Sequence, residues 1–171
     1  MSPAVRPARP ADLDPVWALA RRAVAQMNAM GNPQWGEDYP TRPLYAGDIA
    51  RGELYIFCGE EGSVLAAACI NQTVGEEYAP IPWQYSGPVV SVHRLAVDPA
   101  AQRQGAATAL LTFAEALARQ NGIAALHVDT YARNDRMQAL FRKQGFQVRG
   151  EIRLHRRPEP FFCFEKILSA R

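Results

Sequence analysis

The chain is poor in cysteine, and its three cysteines, Cys58, Cys69 and Cys163, lie far apart. None forms a C-x-x-C pair or another metal-ligand spacing, which argues against a disulfide framework and a zinc site; no metal is expected. Reduced thiols in a cytoplasmic protein are the simplest reading. Charge of one sign is also scarce: 19 Lys and Arg stand against 17 Asp and Glu, a net charge of +2. The basic residues form no long run, so nucleic acid is not an expected partner. The densest basic spot, "HRRPEP" at 155–160, reads as a solvated hairpin tip, with a phosphate contact as the alternative. No apolar stretch is long enough to span a membrane, and "MSPAVRPARPADL" has no signal-peptide core, so no membrane association is expected. Internal repeats and low-complexity linkers are absent. So are the phosphate-loop signature G-x-x-x-x-G-K-[ST] and the dinucleotide fingerprint G-x-G-x-x-G.

What remains is an ordinary globular composition, 48% hydrophobic and 21% charged over 171 residues. Residues 1–171 are expected to form one domain. Asp12 is placed to cap a helix in which Leu13, Val16, Trp17, Ala20, Val24 and Met27 recur at helical spacing, to about Asn28. "MGNPQWGEDYPT" (30–41) is loop chemistry, and a short helix is predicted over Pro43–Arg51. "ELYIFCGEEGSVLAAACINQT" reads as two strands around a turn at Glu60–Gly62. A long, proline-broken aromatic loop follows at 74–88, then a strand at 89–97. After it come a helix whose apolar face is Ala107, Leu110, Leu111, Ala114, Leu117 and Ala118, the strand "GIAALHVDTY", a helix capped by Asn134 and ended by Gly145, and a terminal hairpin. The fold class is α+β, mixed α/β: the central strand–helix–strand unit implies parallel strands, and the ends imply antiparallel ones.

Within this order, "QRQGAA" (102–107) sits between a strand and a helix. A helix N-terminus exposes unpaired N–H groups and the positive end of the helix dipole, and so suits a phosphate. Gly105 permits close backbone approach, Ala106 and Ala107 keep that approach shallow, and Arg103 adds a cation. An ordinary loop with a glycine for its turn is the alternative reading.

"HRLAVDPAAQRQGAATALL" resembles motif A of the GNAT family of N-acetyltransferases, with Leu95, Val97, Gln102, Gly105 and Ala107 at the motif positions. "HVDTYARNDRMQALFRKQGF" resembles its motif B through Asn134, Gly145 and Phe146. The resemblance covers residues 89–167. It implies an acetyl-CoA-binding fold, a central mixed sheet flanked by helices. The N–H groups of Arg103, Gln104, Gly105, Ala106, Ala107 and Thr108 would hold the pyrophosphate of coenzyme A. Backbone groups near Leu95 and Val97 would pair with the pantetheine, and Asn134 would contact the cofactor. Phe141 stands where many members carry a tyrosine thought to protonate the leaving thiolate. It can only pack there, which leaves Tyr131, the substrate ammonium or water as the acid.

Acetyl transfer to an amine needs a neutral nitrogen and hence a proton acceptor. By strict strand alternation His93 shares a face with Leu95 and Val97, and its ordinary pKa of about 6.5 suits the task. A core histidine is the alternative. Glu77, with Glu76, competes from the aromatic loop, where burial would raise a carboxylate pKa. Asp129 is placed to orient a substrate ammonium or His93, or to cap a turn. Trp35, Tyr39, Trp83 and Tyr85 suit a pocket for a cationic amine, or else lids on a satellite core. The reaction implied is direct transfer of acetyl from acetyl-CoA to a primary amine of a small molecule or peptide. The rival is an acyl-CoA-binding sensor without transferase activity; O-acetylation or a longer acyl donor also fits. Edge strands in the terminal hairpin make a homodimer plausible.

Overall fold

The computed structural model describes residues 4–169. Its elements are β1 (Ala4–Pro7), α1 (Leu13–Ala29), α2 (Arg42–Ala50), β2 (Leu54–Cys58), β3 (Val64–Asn71), β4 (Val90–Val97), α3 (Ala106–Gln120), β5 (Ala125–Tyr131), α4 (Asp135–Lys143), β6 (Gln147–Ile152) and β7 (Phe161–Ile167). Short 3-10 turns stand at Pro10–Asp12, Glu76–Tyr78 and Pro99–Ala101. The strands form one seven-stranded sheet in the order β1-β2-β3-β4-β5-β7-β6. Only β4 and β5 run parallel. The mixed sheet flanked by helices is the architecture expected from the sequence.

Alternation along β3 divides the core. Ala66, Ala68 and Ile70 face α3 and α4, where Leu110, Leu111, Ala114, Phe141 and Phe164 pack. Ala67 faces α1 and α2, where Val16, Leu19, Ala20 and Tyr45 pack. A third cluster, with Tyr78, Ile81, Tyr131, Phe161 and Cys163, lies under the loop at 74–88. Asp12 occupies the cap position of α1 but does not cap it. Its carboxylate accepts from the Arg9 N–H at 2.7 Å and pairs with Arg6 at 2.9 Å, because the 3-10 turn before the helix brings those donors closer.

Two departures from regular pairing make the site. First, Ala67 pairs with Ala96 but Cys69 pairs with His93, so Arg94 and Leu95 both oppose Ala68. This is a β-bulge, with Arg94 at φ +51°. One extra residue reverses the alternation beyond it. His93 therefore faces the side of Cys69 and Asn71, while Leu95 and Val97 face α3. The shared face expected for His93, Leu95 and Val97 does not form. Second, β4 and β5 pair only at Val90–Leu126 and Ser91–His127. Beyond these residues the strands part, while β5 continues to Tyr131 against β7.

The loop at 74–88 is bolted to the sheet by Glu165 of β7. That buried carboxylate accepts from Gln84 N and Tyr85 N at 3.0 Å each and from Arg149 Nε at 2.7 Å, and it meets His127 Nε2 at 2.7 Å. The tip at 155–160 is not purely solvated either. Arg157 reaches back to Gln34 O and to Asp38, fixing the loop before α2. No helix among the described residues is long and apolar enough to cross a membrane, and no metal-binding cluster occurs among them.

Candidate active site

The gap between β4 and β5 opens into a cleft of about 1020 Å³. One end is the start of α3. Gly105 caps that helix at φ +77°, a left-handed conformation that favours glycine. A Cβ on Gly105 would meet no atom within 4 Å, so the cleft side of this turn is open space. The first helical bond runs from Ala109 N to Gly105 O at 2.9 Å. Among the described residues, the N–H groups of 103–108 donate to no protein acceptor. Six backbone donors on a helix dipole are a ready anion site. Arg103 adds its charge, exposed at φ +69°. Gln102 ties the loop to its surroundings, donating to Gln26 at 2.6 Å and accepting from Arg136 at 2.8 Å. Gln104 is exposed and its residue lies off the cleft wall.

Along the cleft, Leu95 and Val97 of β4 and Thr130 of β5 line the opening. Asn134 accepts from Met137 N at 3.1 Å, capping α4 as expected, and donates to Gln34 Oε1 at 2.7 Å. Gln34 also accepts from the Thr130 hydroxyl, so one glutamine ties the loop before α2 to the end of β5. Phe141 lines the cleft while packed against Phe146 and Phe164, each 5.3 Å away between ring centres.

The opposite wall carries the titratable groups. His93 Nε2 lies 2.9 Å from Thr73 O and 3.0 Å from Asn71 Oδ1. A backbone carbonyl only accepts, so Nε2 holds the hydrogen and Nδ1 keeps the lone pair. Burial lowers the His93 pKa, and the neighbouring Arg94 lowers it further. Arg94 donates to fully buried Asp48 at 2.8 and 2.6 Å and to the Tyr39 hydroxyl at 3.3 Å. Tyr39 stacks on His155 with 3.8 Å between ring centres. Asp129 lies on β5 across the gap and accepts from the Tyr78 hydroxyl at 2.5 Å. Burial pushes its pKa up to about 6; the Tyr78 hydrogen bond opposes the shift and the charge of Glu77 adds to it.

Several expected residues stand elsewhere. Glu77 is exposed at the rim and Glu76 lies off the cleft, so the carboxylate raised by burial is Asp129. Tyr131 is fully buried against Phe161, its hydroxyl accepting from Glu159 N at 3.2 Å, away from the cleft wall. Trp83 stacks on His127, 3.7 Å between ring centres, and packs against the third core cluster, while the Tyr85 N–H donates to Glu165; neither residue is on the cleft wall. Trp35 and Tyr39 do line the cleft. Sequence reasoning missed Tyr78, Arg94, Gln34 and His155. For Tyr78 a signal existed, since it follows Glu76 and Glu77 directly in the aromatic loop.

Residues 23–146 match the sequence model of the Acetyltransferase (GNAT) family. No curated protein sequence matches the chain. Among solved structures, a GNAT-family acetyltransferase from Streptococcus agalactiae is similar at a TM-score of 0.85 and 25% identity, covering 98% of this chain and 96% of that one. A GNAT-family acetyltransferase from Listeria monocytogenes reaches 0.76 at 21% identity, over 97% and 95%. The ribosomal-protein-S18-alanine N-acetyltransferase from Escherichia coli shares the fold at 0.70 and 20% identity, over 99% and 96%.

Proposed function

The chain belongs to the GNAT family of acetyltransferases, and from that premise we propose that it moves the acetyl group of acetyl-CoA to a primary amine of a small molecule or peptide by direct attack. The observation that carries this reading is the meeting, in one cleft, of a run of N–H groups without protein acceptors at the start of α3 with the carboxylate of Asp129, which pairs with no cation among the described residues. The first suits a pyrophosphate and the second suits an ammonium group.

The residues present fit acetyl-CoA. Residues 103–108 would hold its pyrophosphate, with Arg103 as the nearby cation. Past Ser91, the edge of β4 toward β5 has no ladder partner among the described residues; Arg94 O accepts from the Tyr45 hydroxyl, and the other groups of that edge would pair with the extended pantetheine. Asn134 and Phe141 would line the rest of its path. Bound there, acetyl-CoA supplies the acetyl group as an activated thioester. N–H groups at the Arg94 bulge would hold the charge that develops on the carbonyl oxygen. Three groups on the cleft wall compete to accept the amine proton: His93 through Nδ1, Glu77 from the rim, and Asp129. Trp35, Tyr39 and His155 would enclose the acceptor.

The test joins calorimetry with coenzyme A to a thiol-release assay using acetyl-CoA and a panel of primary amines: lysine, ethylenediamine and a peptide with a free N-terminus. Binding plus amine-dependent thiol release is expected. Tight binding with no release for any amine would favour the second reading, an acyl-CoA sensor, which Phe141 supports by offering no proton to a leaving thiolate. No binding at all would remove both.

A further inference from the structure

We infer that Asp129 is the catalytic base that takes the proton from the acceptor ammonium, and that Tyr78 is a positioning residue that holds its carboxylate. The inference rests on the transferase reading and deepens it.

Asp129 stands on β5 where that strand leaves β4, and it lines the cleft. The groups that face it come from several elements. Tyr78 and Glu77 come from the 3-10 turn, Tyr39 from the loop before α2, and Cys163 lies opposite on β7. His93 and Arg94 of β4 line the same cleft. Among the described residues no lysine or arginine pairs with Asp129; Arg94 is engaged by Asp48. A carboxylate in that position lacks a cation, and a substrate ammonium would supply it. His93 is the weaker candidate. Burial and then the adjacent Arg94 disfavour its imidazolium form, and these outweigh the Nε2–H bond to Thr73 O that favours it. Glu77 is exposed, where water competes for any ammonium.

The Tyr78 hydroxyl donates to one oxygen, Oδ2, and leaves Oδ1 for the substrate. In the step proposed, Oδ1 takes one proton from the ammonium. The freed nitrogen lone pair forms the C–N bond as the C–S bond breaks. The nitrogen gives up its second proton to the departing sulfur, and Asp129 returns its own proton to solvent. A raised carboxyl pKa narrows the gap to an alkyl ammonium, ordinarily about 10.

The experiment follows the Asp129 carboxyl by ¹³C NMR titration of the free protein, beside pH profiles of kcat/KM for the panel amine that turns over fastest. In the wild type the carboxyl should titrate near the acid limb of the profile. In Tyr78→Phe both should move to higher pH together, because a hydrogen bond that favours the charged form is gone. In Asp129→Asn the limb should vanish with a loss of about 100-fold or more, while calorimetric affinity for coenzyme A stays unchanged. A limb that survives in Asp129→Asn, or a carboxyl titrating near the ordinary aspartate value in the wild type, overturns the assignment. A limb abolished by His93→Gln instead gives the role to His93. Absence of thiol release with every amine, with coenzyme A bound, overturns the transferase reading, and this role with it.

Discussion

At the scale of single residues, Asp129 carries a cost that pH should reveal. Its carboxyl rises from an ordinary 3.8 to about 6 in the folded chain. Well below pH 3.8 both the folded and unfolded states hold the proton and no penalty exists. As pH rises through 4 to 6 the unfolded chain ionises first, so folding loses stability; above the folded value the loss is constant. The shift corresponds to about 3 kcal/mol at most, less because the residue borders a wet cleft. Asp129→Asn should therefore gain stability relative to the wild type across pH 4–6, by urea unfolding, and hold that gain above it. Parallel curves for the two proteins would show that Asp129 ionises as an ordinary carboxyl. Phe141 makes the opposite case, a residue in the cleft with no titration to offer. Phe141→Leu should cost about 1 kcal/mol of stability through looser packing on Phe146 and Phe164, and leave the shape of the pH profile unchanged. A displaced acid limb would mean that Phe141 sets the environment of the base.

At the scale of elements, the start of α3 offers the sharpest test. Gly105 holds φ +77°, so Gly105→Ala should destabilise the chain by about 1–2 kcal/mol by placing an L-residue in left-handed backbone. Gly105→Val adds bulk on the open side of the turn and should abolish coenzyme A binding in a folded protein, judged by calorimetry and circular dichroism. Full affinity in folded Gly105→Val would place the phosphate elsewhere. This element was legible because its signals are local: a strand, a glycine and a helical stripe within a short stretch. Asn134 was legible for the same reason, since a cap is recognised by its neighbours. The bulge at Arg94 was not. Its extra residue exists only relative to Ala68 on β3, and alternation along β4 alone put His93 on the wrong face. The raised carboxyl of Asp129 was hidden for a related reason. Burial raises a carboxylate, and burial is decided by what packs over it, here Tyr78 folded back from a distant loop. Trp83 and Tyr85 read as pocket aromatics until Glu165, which looks like any strand residue, captured the backbone of Gln84 and Tyr85 beside them.

At the scale of the whole molecule, the sheet is two antiparallel blocks, β1–β4 and β5–β7, sharing only two register pairs between β4 and β5. Core packing of α3 and α4 carries much of the remaining connection across that seam. A ligand that lies in the gap adds contacts to both blocks and binds only the folded state. At a free concentration of one hundred times Kd such a ligand adds about 2.7 kcal/mol, which for a chain of this size raises Tm by about 5–10 °C. Coenzyme A should produce that shift in the wild type and none in Gly105→Val. The location of the added protection is the sharper readout. Amide exchange should slow along Val92–Val97 on β4 and Val128–Thr130 on β5, at the edges facing each other, which have no ladder partner among the described residues, as well as at residues 103–108. Protection confined to 103–108 would mean that the anion site works as expected while the seam stays open. The extended arm would then run outside the sheet, and β4 would lose its place in holding the reacting carbonyl. Protection on both edges, lost in the variant that blocks the phosphate end, would tie the two ends of the cleft to one ligand.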